Sequence, residues 1–478
     1  MKRKMNVAVP VEELARQREY IEYLREWNDQ FEKASGRKRK VHVHTYGCQM
    51  NVHDSEKLLG MLLKMGFEQV ESDAGADLIL FNTCCVREHA ETRVYGNVGH
   101  LGKIKRQKPE LMIGVCGCMM QQEEIARELF KKFPFVDLVF GTHALHVFPE
   151  LLYRAALSGM RSFDIRQSEG TIVEEIPACR EKSASAFVTI MYGCDNFCSY
   201  CIVPYVRGRE RSRLPEDILA EVEQLVDEGY SEITLLGQNV NSYGKDLEDG
   251  PDFADLLRQI DQVKGLRRLR FMTSHPKDLS DRLIAAIAEC PTVCRHIHLP
   301  VQSGSDEILR RMNRHYTSAD YKELVRKLRT AVPELEISTD IIVGFPGETE
   351  NDFQDTLKLV EEVGFCAAFT FMYSPRIGTP AAKAPNQISE EMKKVRLAAL
   401  NELQARKCAQ NNQKYIGGTF EVLVEGCDLR EGSNAFGKTD NFKMIYFPGD
   451  ESLIGRYLTV KVETARKNSL IGIIQEEC

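Results

Sequence analysis

The sequence predicts an α/β protein in three parts: an N-terminal parallel α/β sheet domain, a central open six-stranded βα barrel of partial TIM type, and a small C-terminal antiparallel β-barrel. Three observations predict it. Short apolar runs alternate with helical patterns from residue 41, and the alternation then recurs six times between about 187 and 373. After a charged helix at about 389–414 the chain changes to short strands separated by Gly, Asn and Asp. A length of 478 residues exceeds what one core usually serves. The expected division is a helical extension over 1–39, a sheet domain over 40–157, the barrel over 180–410 and the small barrel over 413–476.

Composition excludes several classes. Hydrophobic content of 43% and charged content of 28% are those of a globular protein. No run of 18 or more uncharged apolar residues exists, so no membrane association is expected. Residues 1–40 lack a signal peptide's apolar core, and Glu12, Glu13, Glu19 and Glu22 are foreign to a transit peptide. The expected location is the cytoplasm. There, 15 cysteines, odd in number and widely scattered, point to metal or redox chemistry rather than disulfides. A net charge of −7 argues against a general nucleic-acid coat but leaves room for local basic faces.

Tyr20, Leu24, Trp27 and Phe31 recur at helical spacing and predict an amphipathic helix docked on the body. The strands VHVHTY, DLILFN, LMIGV and VDLVF follow, with helices at 54–65, 87–108 and 120–132 between them. Ligands of such sheets gather beyond the carboxyl ends of strands. Cys48 follows the first strand, Cys84 and Cys85 the second, and Cys116 and Cys118 the third. The barrel strands are expected near 187–192, 232–237, 268–273, 296–300, 337–343 and 367–373, with the chemistry on the loops that follow them. The C-terminal strands are TFEVLVEG, GKTDNFKMIYF, YLTVKVETA and SLIGIIQ.

The strongest chemical signal is Cys194-x3-Cys198-x2-Cys201, in MYGCDNFCSYCIVPYVRGRERSR. Three thiolates in one loop hold a four-iron cube with one iron left open, which suits a catalytic centre better than an electron carrier. Zinc is the structural rival, but a closed zinc site needs a fourth ligand, and no histidine lies between 147 and 274. At this loop the sequence resembles the radical S-adenosylmethionine superfamily, whose cysteine signature ends in an aromatic and a cysteine, here Tyr200-Cys201. The resemblance implies that Cys194, Cys198 and Cys201 bind a [4Fe-4S] cluster whose open iron is chelated by the amino and carboxylate groups of S-adenosylmethionine. Reductive cleavage then yields a 5′-deoxyadenosyl radical. It also places Tyr200 beside the cofactor's adenine.

TYGCQMN at 45–51, NTCCVRE at 82–88 and VCGCM at 115–119 resemble the radical S-adenosylmethionine methylthiotransferase family. That resemblance implies a second, auxiliary [4Fe-4S] cluster on Cys48, Cys84 and Cys118, and likens the small barrel to the RNA-binding TRAM domain. Cys85 and Cys116 depart from the common pattern, so alternative ligation by either stays open. Cys179, Cys290, Cys294, Cys366, Cys408, Cys427 and Cys478 read as packed or incidental thiols. NTCCVREHAETR and RRMNRHYT, with the first and fourth cysteine motifs, resemble the branch acting on isopentenyl (dimethylallyl) adenosine of tRNA, next to the anticodon. Carbon 2 of adenine carries a hydrogen too weakly acidic for a side-chain base, which explains a radical route.

Implied partners are the tRNA anticodon loop, a flavodoxin- or ferredoxin-like electron donor, and a sulfur or iron-sulfur supply protein. The two clusters are expected to serve one cavity. Candidate cofactor contacts, placed only by strand-end position, are Gln238, Asn239, Ser274, His275, Gln302, Ser303 and Glu348, with capping or turn stabilisation as the plainer role. Candidate phosphate contacts are Lys103, Lys105, Arg106 and Lys108; Arg207, Arg209, Arg211 and Arg213; and Arg310, Arg311 and Arg314. Phe436, Phe442, Tyr446 and Phe447 either stack on bases or fill the small barrel. The rival functions are the same chemistry on another adenosine derivative or a ribosomal protein, and a non-catalytic, metal-stabilised RNA-binding module.

Overall fold

The computed structural model describes residues 7–85, 88–167, 171–174, 176–180, 183–428 and 434–477. Cys478, read above as incidental, lies outside them. The chain divides into two compact units. One comprises 1–181 with 192–195 and 202–211, and the other 182–191, 196–201 and 212–478. Among the described residues no helix is long and apolar enough to cross a membrane.

In the first unit, helix α1 (Val11–Ser35) precedes strands β1 (Lys40–Thr45), β2 (Glu68–Gln69), β3 (Leu78–Thr83), β4 (Met112–Gly117), β5 (Leu138–Phe140) and β6 (Ser162–Asp164). They form one sheet in the order β2-β1-β3-β4-β5-β6, with every neighbouring pair parallel. Helices α2 (Gln49–Lys64), α3 (Glu88–Gln107), α4 (Glu123–Lys132) and α5 (Phe148–Leu157) are the crossovers. β3 and β4 are buried at every position, as strands covered on both faces must be, which is why DLILFN and LMIGV read as unbroken apolar runs. The sequence missed the edge strands β2 and β6, which are only two and three residues long. α1 docks as expected: Leu24 is fully buried, Tyr20 packs on Tyr153, and the Arg39 guanidinium lies 3.4 Å above the Trp27 ring.

In the second unit, strands β7 (Ser185–Thr189), β8 (Glu232–Leu236), β9 (Arg268–Phe271), β10 (His296–His298), β11 (Glu336–Val343) and β12 (Ala367–Met372) run parallel in chain order. They form two three-stranded sheets, β9-β8-β7 and β10-β11-β12, joined by the parallel bridge Leu269–Val293. Helices include α6 (Pro215–Asp227), α7 (Phe253–Asp261), α8 (Asp281–Glu289), α9 (Asp306–Arg311), α10 (Ser318–Ala331), α11 (Glu350–Val363) and α12 (Glu390–Gln413). Asp252, Thr317 and Thr349 start α7, α10 and α11 with reciprocal side-chain caps.

The last five strands, β13 (Thr419–Asp428), β14 (Asn434–Lys438), β15 (Met444–Pro448), β16 (Tyr457–Ala465) and β17 (Leu470–Glu477), close into a barrel. GKTDNFKMIYF is thus two strands rather than one, turned at Thr439–Lys443. This turn packs at the amino-terminal ends of the large barrel's strands. Arg270 of β9 donates to the Thr439 carbonyl at 2.7 Å, Tyr415 Oη donates to Glu336 at 2.6 Å, and Phe442 stacks on His296 at 4.4 Å. The opposite, carboxyl-terminal ends are left to chemistry. Phe442 is therefore an anchor rather than a base-stacking platform, and Phe447 fills the small barrel's core at 1% exposure.

Candidate iron-sulfur and cofactor sites

In the first unit three strand-end loops bring cysteines together. Cys48 caps the start of α2 from an extended conformation, immediately after Gly47 at φ +116°. A Cβ on Gly47 would lie 2.4 Å from Cys84 Cβ, so a glycine is what lets the first and second cysteine loops touch. Gly117, at φ +96°, does the same for the third loop: a Cβ there would meet the Thr83 carbonyl at 2.5 Å. Cys118 N–H then donates to that carbonyl at 2.9 Å.

Two asparagines tie these loops. Asn51 Nδ2 donates to the carbonyls of Tyr46 (2.8 Å) and Thr83 (2.9 Å), and Asn82 Nδ2 donates to the Asn51 carbonyl at 2.8 Å. Both stand inside the quoted motifs, yet nothing in their type or spacing told positioning residues from bystanders. Cys116 and Cys118 part company. Cys116 packs into the apolar core with Leu80, Leu138 and Phe140, and burial pushes its thiol far up. Cys118 accepts from Arg207 Nε at 3.2 Å and is drawn down to about 7, first by a hydrogen bond from Cys85 and then by the Arg207 charge.

Arg207 is 6% exposed and donates through Nη2 to Asp54 at 2.6 Å and Asn51 at 2.9 Å. Beside it opens a cavity of about 370 Å³, lined by Lys57, His143, His146, Arg166 and Arg211 among others. Burial and the adjoining Arg211 hold His143 neutral, down at about 3. Of the four arginines read from sequence as one RNA-facing cluster, only Arg209 is solvent-exposed. Arg207 and Arg211 are buried, and Arg213 is spent on Glu221 and the Thr189 carbonyl at 2.7 and 2.6 Å. Lys105 and Lys108 likewise pair with Asp137 and Asp77, leaving Lys103 and Arg106 to solvent.

In the second unit the segment read as RRMNRHYT clamps the cysteine loop. Ser199 N–H donates to the Met312 carbonyl at 3.0 Å, and Asn313 Nδ2 donates to the carbonyls of Asn196 and Phe197 at 3.2 and 3.1 Å. Phe197, Asn313 and His315 all sit at positive φ, strain that only a tightly constrained loop sustains. Arg314, 4% exposed, places Nη1 3.5 Å from Cys198 Sγ and donates to the Pro300 carbonyl at 2.7 Å. It is not an RNA contact. Arg310 and Arg311 pair with Glu307. Cys194 N–H, in the first unit, donates to the Gly208 carbonyl at 3.1 Å, and Cys201 N–H donates to Cys198 O at 2.9 Å.

The strand-end polar residues separate into two groups. Among the described residues, Ser274 Oγ, His275 Nε2 and Gln302 Oε1 are buried with no hydrogen-bond partner, as are Asn241 Oδ1 and Tyr373 Oη, which the sequence did not single out. Buried polar atoms are normally satisfied, so a row of orphans at the carboxyl ends of β8, β9, β10 and β12 fits a polar ligand. Thr273 and Gln302 reinforce this with φ of +71° and +70°. Burial, then Arg314, keeps His275 neutral, and Asn239 donates to Asp278 at 2.8 Å. Tyr200 packs edge-on to Phe345. The other group is structural. Glu348 accepts from Gly344 N–H and Arg396, both at 2.7 Å, and Ser303 Oγ meets Thr356 Oγ1 at 3.3 Å. Gln238, half-buried, follows β8.

Three family models match the chain: the radical SAM superfamily over 188–360, the uncharacterized protein family UPF0004 over 40–141, and the TRAM domain over 413–474. The molecule is a radical S-adenosylmethionine enzyme with a TRAM domain, and such enzymes work with S-adenosylmethionine and a [4Fe-4S] cluster. Within this class, the chain belongs to the family of tRNA-2-methylthio-N(6)-dimethylallyladenosine synthases. It is 55% identical to the Clostridium perfringens member over 434 residues, 91% of this chain and 97% of that one. To the Acetivibrio thermocellus member it is 51% identical over 469 residues, 98% of each. In fold it is similar to the radical S-adenosylmethionine methyltransferase TsrM of Kitasatospora setae, with a TM-score of 0.52, 16% identity, and coverage of 72% of this chain and 76% of that one.

Proposed function

We propose that this chain adds a methylthio group to carbon 2 of N6-isopentenyl (dimethylallyl) adenosine beside the tRNA anticodon. It does so with S-adenosylmethionine and two [4Fe-4S] clusters, one on Cys194, Cys198 and Cys201 and an auxiliary one on Cys48, Cys84 and Cys118. The observation that carries the second cluster is the loop assembly around Cys118: three strand-end thiol loops, knitted by Asn51 and Asn82, with Arg207 donating to Cys118. The Cys116 thiol, turned into the core, supports Cys118 as the ligand. Cys85, hydrogen-bonded to Cys118, serves as a neighbour rather than a ligand.

When bound, S-adenosylmethionine at a reduced cluster supplies a carbon radical able to activate a C–H bond that no side-chain base can deprotonate. The chain's own residues bind and orient. Neutral His275, Ser274, Gln302 and Asn241 would hold the cofactor's polar groups through their unsatisfied atoms, and Tyr200 would face its adenine. Asn313 and Ser199 fix the cysteine loop. Region 40–157 supplies the auxiliary centre, 180–410 the radical centre, and 413–476 grips RNA, with Phe436 and Tyr446 as its partly exposed aromatic pair. Lys103, Arg106 and Arg209 contribute phosphate contacts. The partners are a flavodoxin- or ferredoxin-like reductant and a sulfur-supplying protein, in the cytoplasm.

The test is nucleoside mass spectrometry of tRNA from a strain lacking this chain, before and after complementation. The methylthio derivative of the isopentenylated nucleoside disappears and returns only with all six cysteines intact. Unchanged tRNA, or loss of a different nucleoside, refutes the assignment.

A further inference from the structure

Outside both cysteine sites, three metal-ligating side chains of the first unit converge on one point. His42 and His44 are two apart on β1, so their rings project from the same face of the sheet. Among the described residues β2 pairs with Lys40 and Val41 of β1, so its ladder stops short of the space beside both histidines. Asp73 fills that space from the turn after β2, where Ala76 N–H donates to the Asp73 carbonyl at 3.2 Å and Gly75 takes φ +85°. His42 Nδ1 and His44 Nε2 lie 2.7 and 2.8 Å from the same carboxylate oxygen, Asp73 Oδ1. The two imidazoles are 4.2 Å apart, and His44 is held flat against Phe81 at 4.6 Å and 9°.

We propose that His42, His44 and Asp73 form a binding site for one zinc-class divalent ion, independent of the iron-sulfur chemistry. The three donor atoms all lie within 4.8 Å of one another and are half-buried. Two imidazoles and a carboxylate are the donor set that zinc, nickel and cobalt take in preference to calcium or magnesium. Opening the two N···O contacts by roughly half an ångström seats an ion at the roughly 2.0–2.2 Å these ligands require, with a water in the fourth position. The stacking of His44 on Phe81 fixes one ligand before the ion arrives. The ion's role follows from where it sits. It pins the 71–75 turn onto the strand that runs directly into the Cys48 loop.

The experiment uses anaerobic protein reconstituted with iron and sulfide, so that the cluster cysteines are occupied. Zinc is titrated against a chromophoric chelator, and the zinc-edge X-ray absorption spectrum is recorded. The expected result is one zinc per chain with an imidazole-containing nitrogen and oxygen shell. Affinity falls at least tenfold in Asp73→Asn and in His42→Gln/His44→Gln, with iron content unchanged. A sulfur-only shell, or equal zinc uptake by wild type and Asp73→Asn, overturns the proposal. So does a wild type that binds no zinc, which would leave the trio as two histidines sharing a hydrogen-bond acceptor. Should the double variant fail to fold, Asp73→Asn and the wild-type spectrum still decide.

Discussion

The guanidinium of Arg207 bridges a carboxylate and a thiol: Nη2 lies 2.6 Å from Asp54 Oδ2 while Nε lies 3.2 Å from Cys118 Sγ. Both side chains of the ion pair are under 10% exposed, so neither charge is compensated by water. Removing one partner of such a pair costs about 3 to 5 kcal/mol, because the other is left buried and unpaired. Arg207→Met is expected to lower the chemical stability of the protein by an amount of that order and to reduce iron loading. Arg207→Met/Asp54→Leu recovers most of the stability but not the loading. Urea unfolding and iron analysis of both variants check this.

Gly47 offers a sharper lesion. An alanine there is strained at φ +116° and drives its Cβ to 2.4 Å from Cys84 Cβ. The strain alone costs about 1 to 3 kcal/mol. Gly47→Ala is expected to fall from roughly eight irons per chain to roughly four. Its cleavage of S-adenosylmethionine to 5′-deoxyadenosine persists while methylthiolation is lost. Equal iron content in variant and wild type would remove this loop from any cluster site.

Arg314 touches Cys198 Sγ at 3.5 Å and also donates to the Pro300 carbonyl and to Tyr316 Oη, two uncharged acceptors. A cationic donor at a ligand sulfur raises a cluster's reduction potential. Arg314→Gln is expected to shift the radical-centre cluster to a more negative potential and to slow 5′-deoxyadenosine formation at least tenfold. Arg314→Lys lies between. The potentials are read by redox-poised electron paramagnetic resonance in a background lacking Cys48, Cys84 and Cys118.

Asp77 governs an acid-sensitive step. Burial opposes its ionisation, but hydrogen bonds from Arg37, Lys108 and the Lys40 N–H outweigh this and hold its carboxyl at about 2 against an ordinary 3.8. Because the folded value is the lower one, the stabilisation is fully present above about pH 4 and is lost as pH falls toward about 2. The full contribution is about 2 kcal/mol. Asp77→Asn should therefore lower the urea midpoint markedly at about pH 5 and much less at about pH 2.5. An equal drop at both pH values would contradict the linkage.

The sequence by itself determined the succession of the longer strands and helices, the cysteine motifs on the loops between them, and the family. These rest on local pattern: period-two and period-3.6 apolar spacing, and thiols counted along the chain. What it could not decide was the direction in which a polar side chain points. Arg207, Arg211, Arg213 and Arg314 read as solvent-facing cations, yet packing turned each inward, two of them onto cluster-loop thiols. Phe442, open in sequence to base stacking or to the small barrel's core, became the foot on which the small barrel stands against His296. Asn51 and Asn82 are ordinary in sequence and indispensable in space. A side chain's charge or ring is local, but its partners come from segments dozens of residues away, and only the closed fold brings them within hydrogen-bond reach.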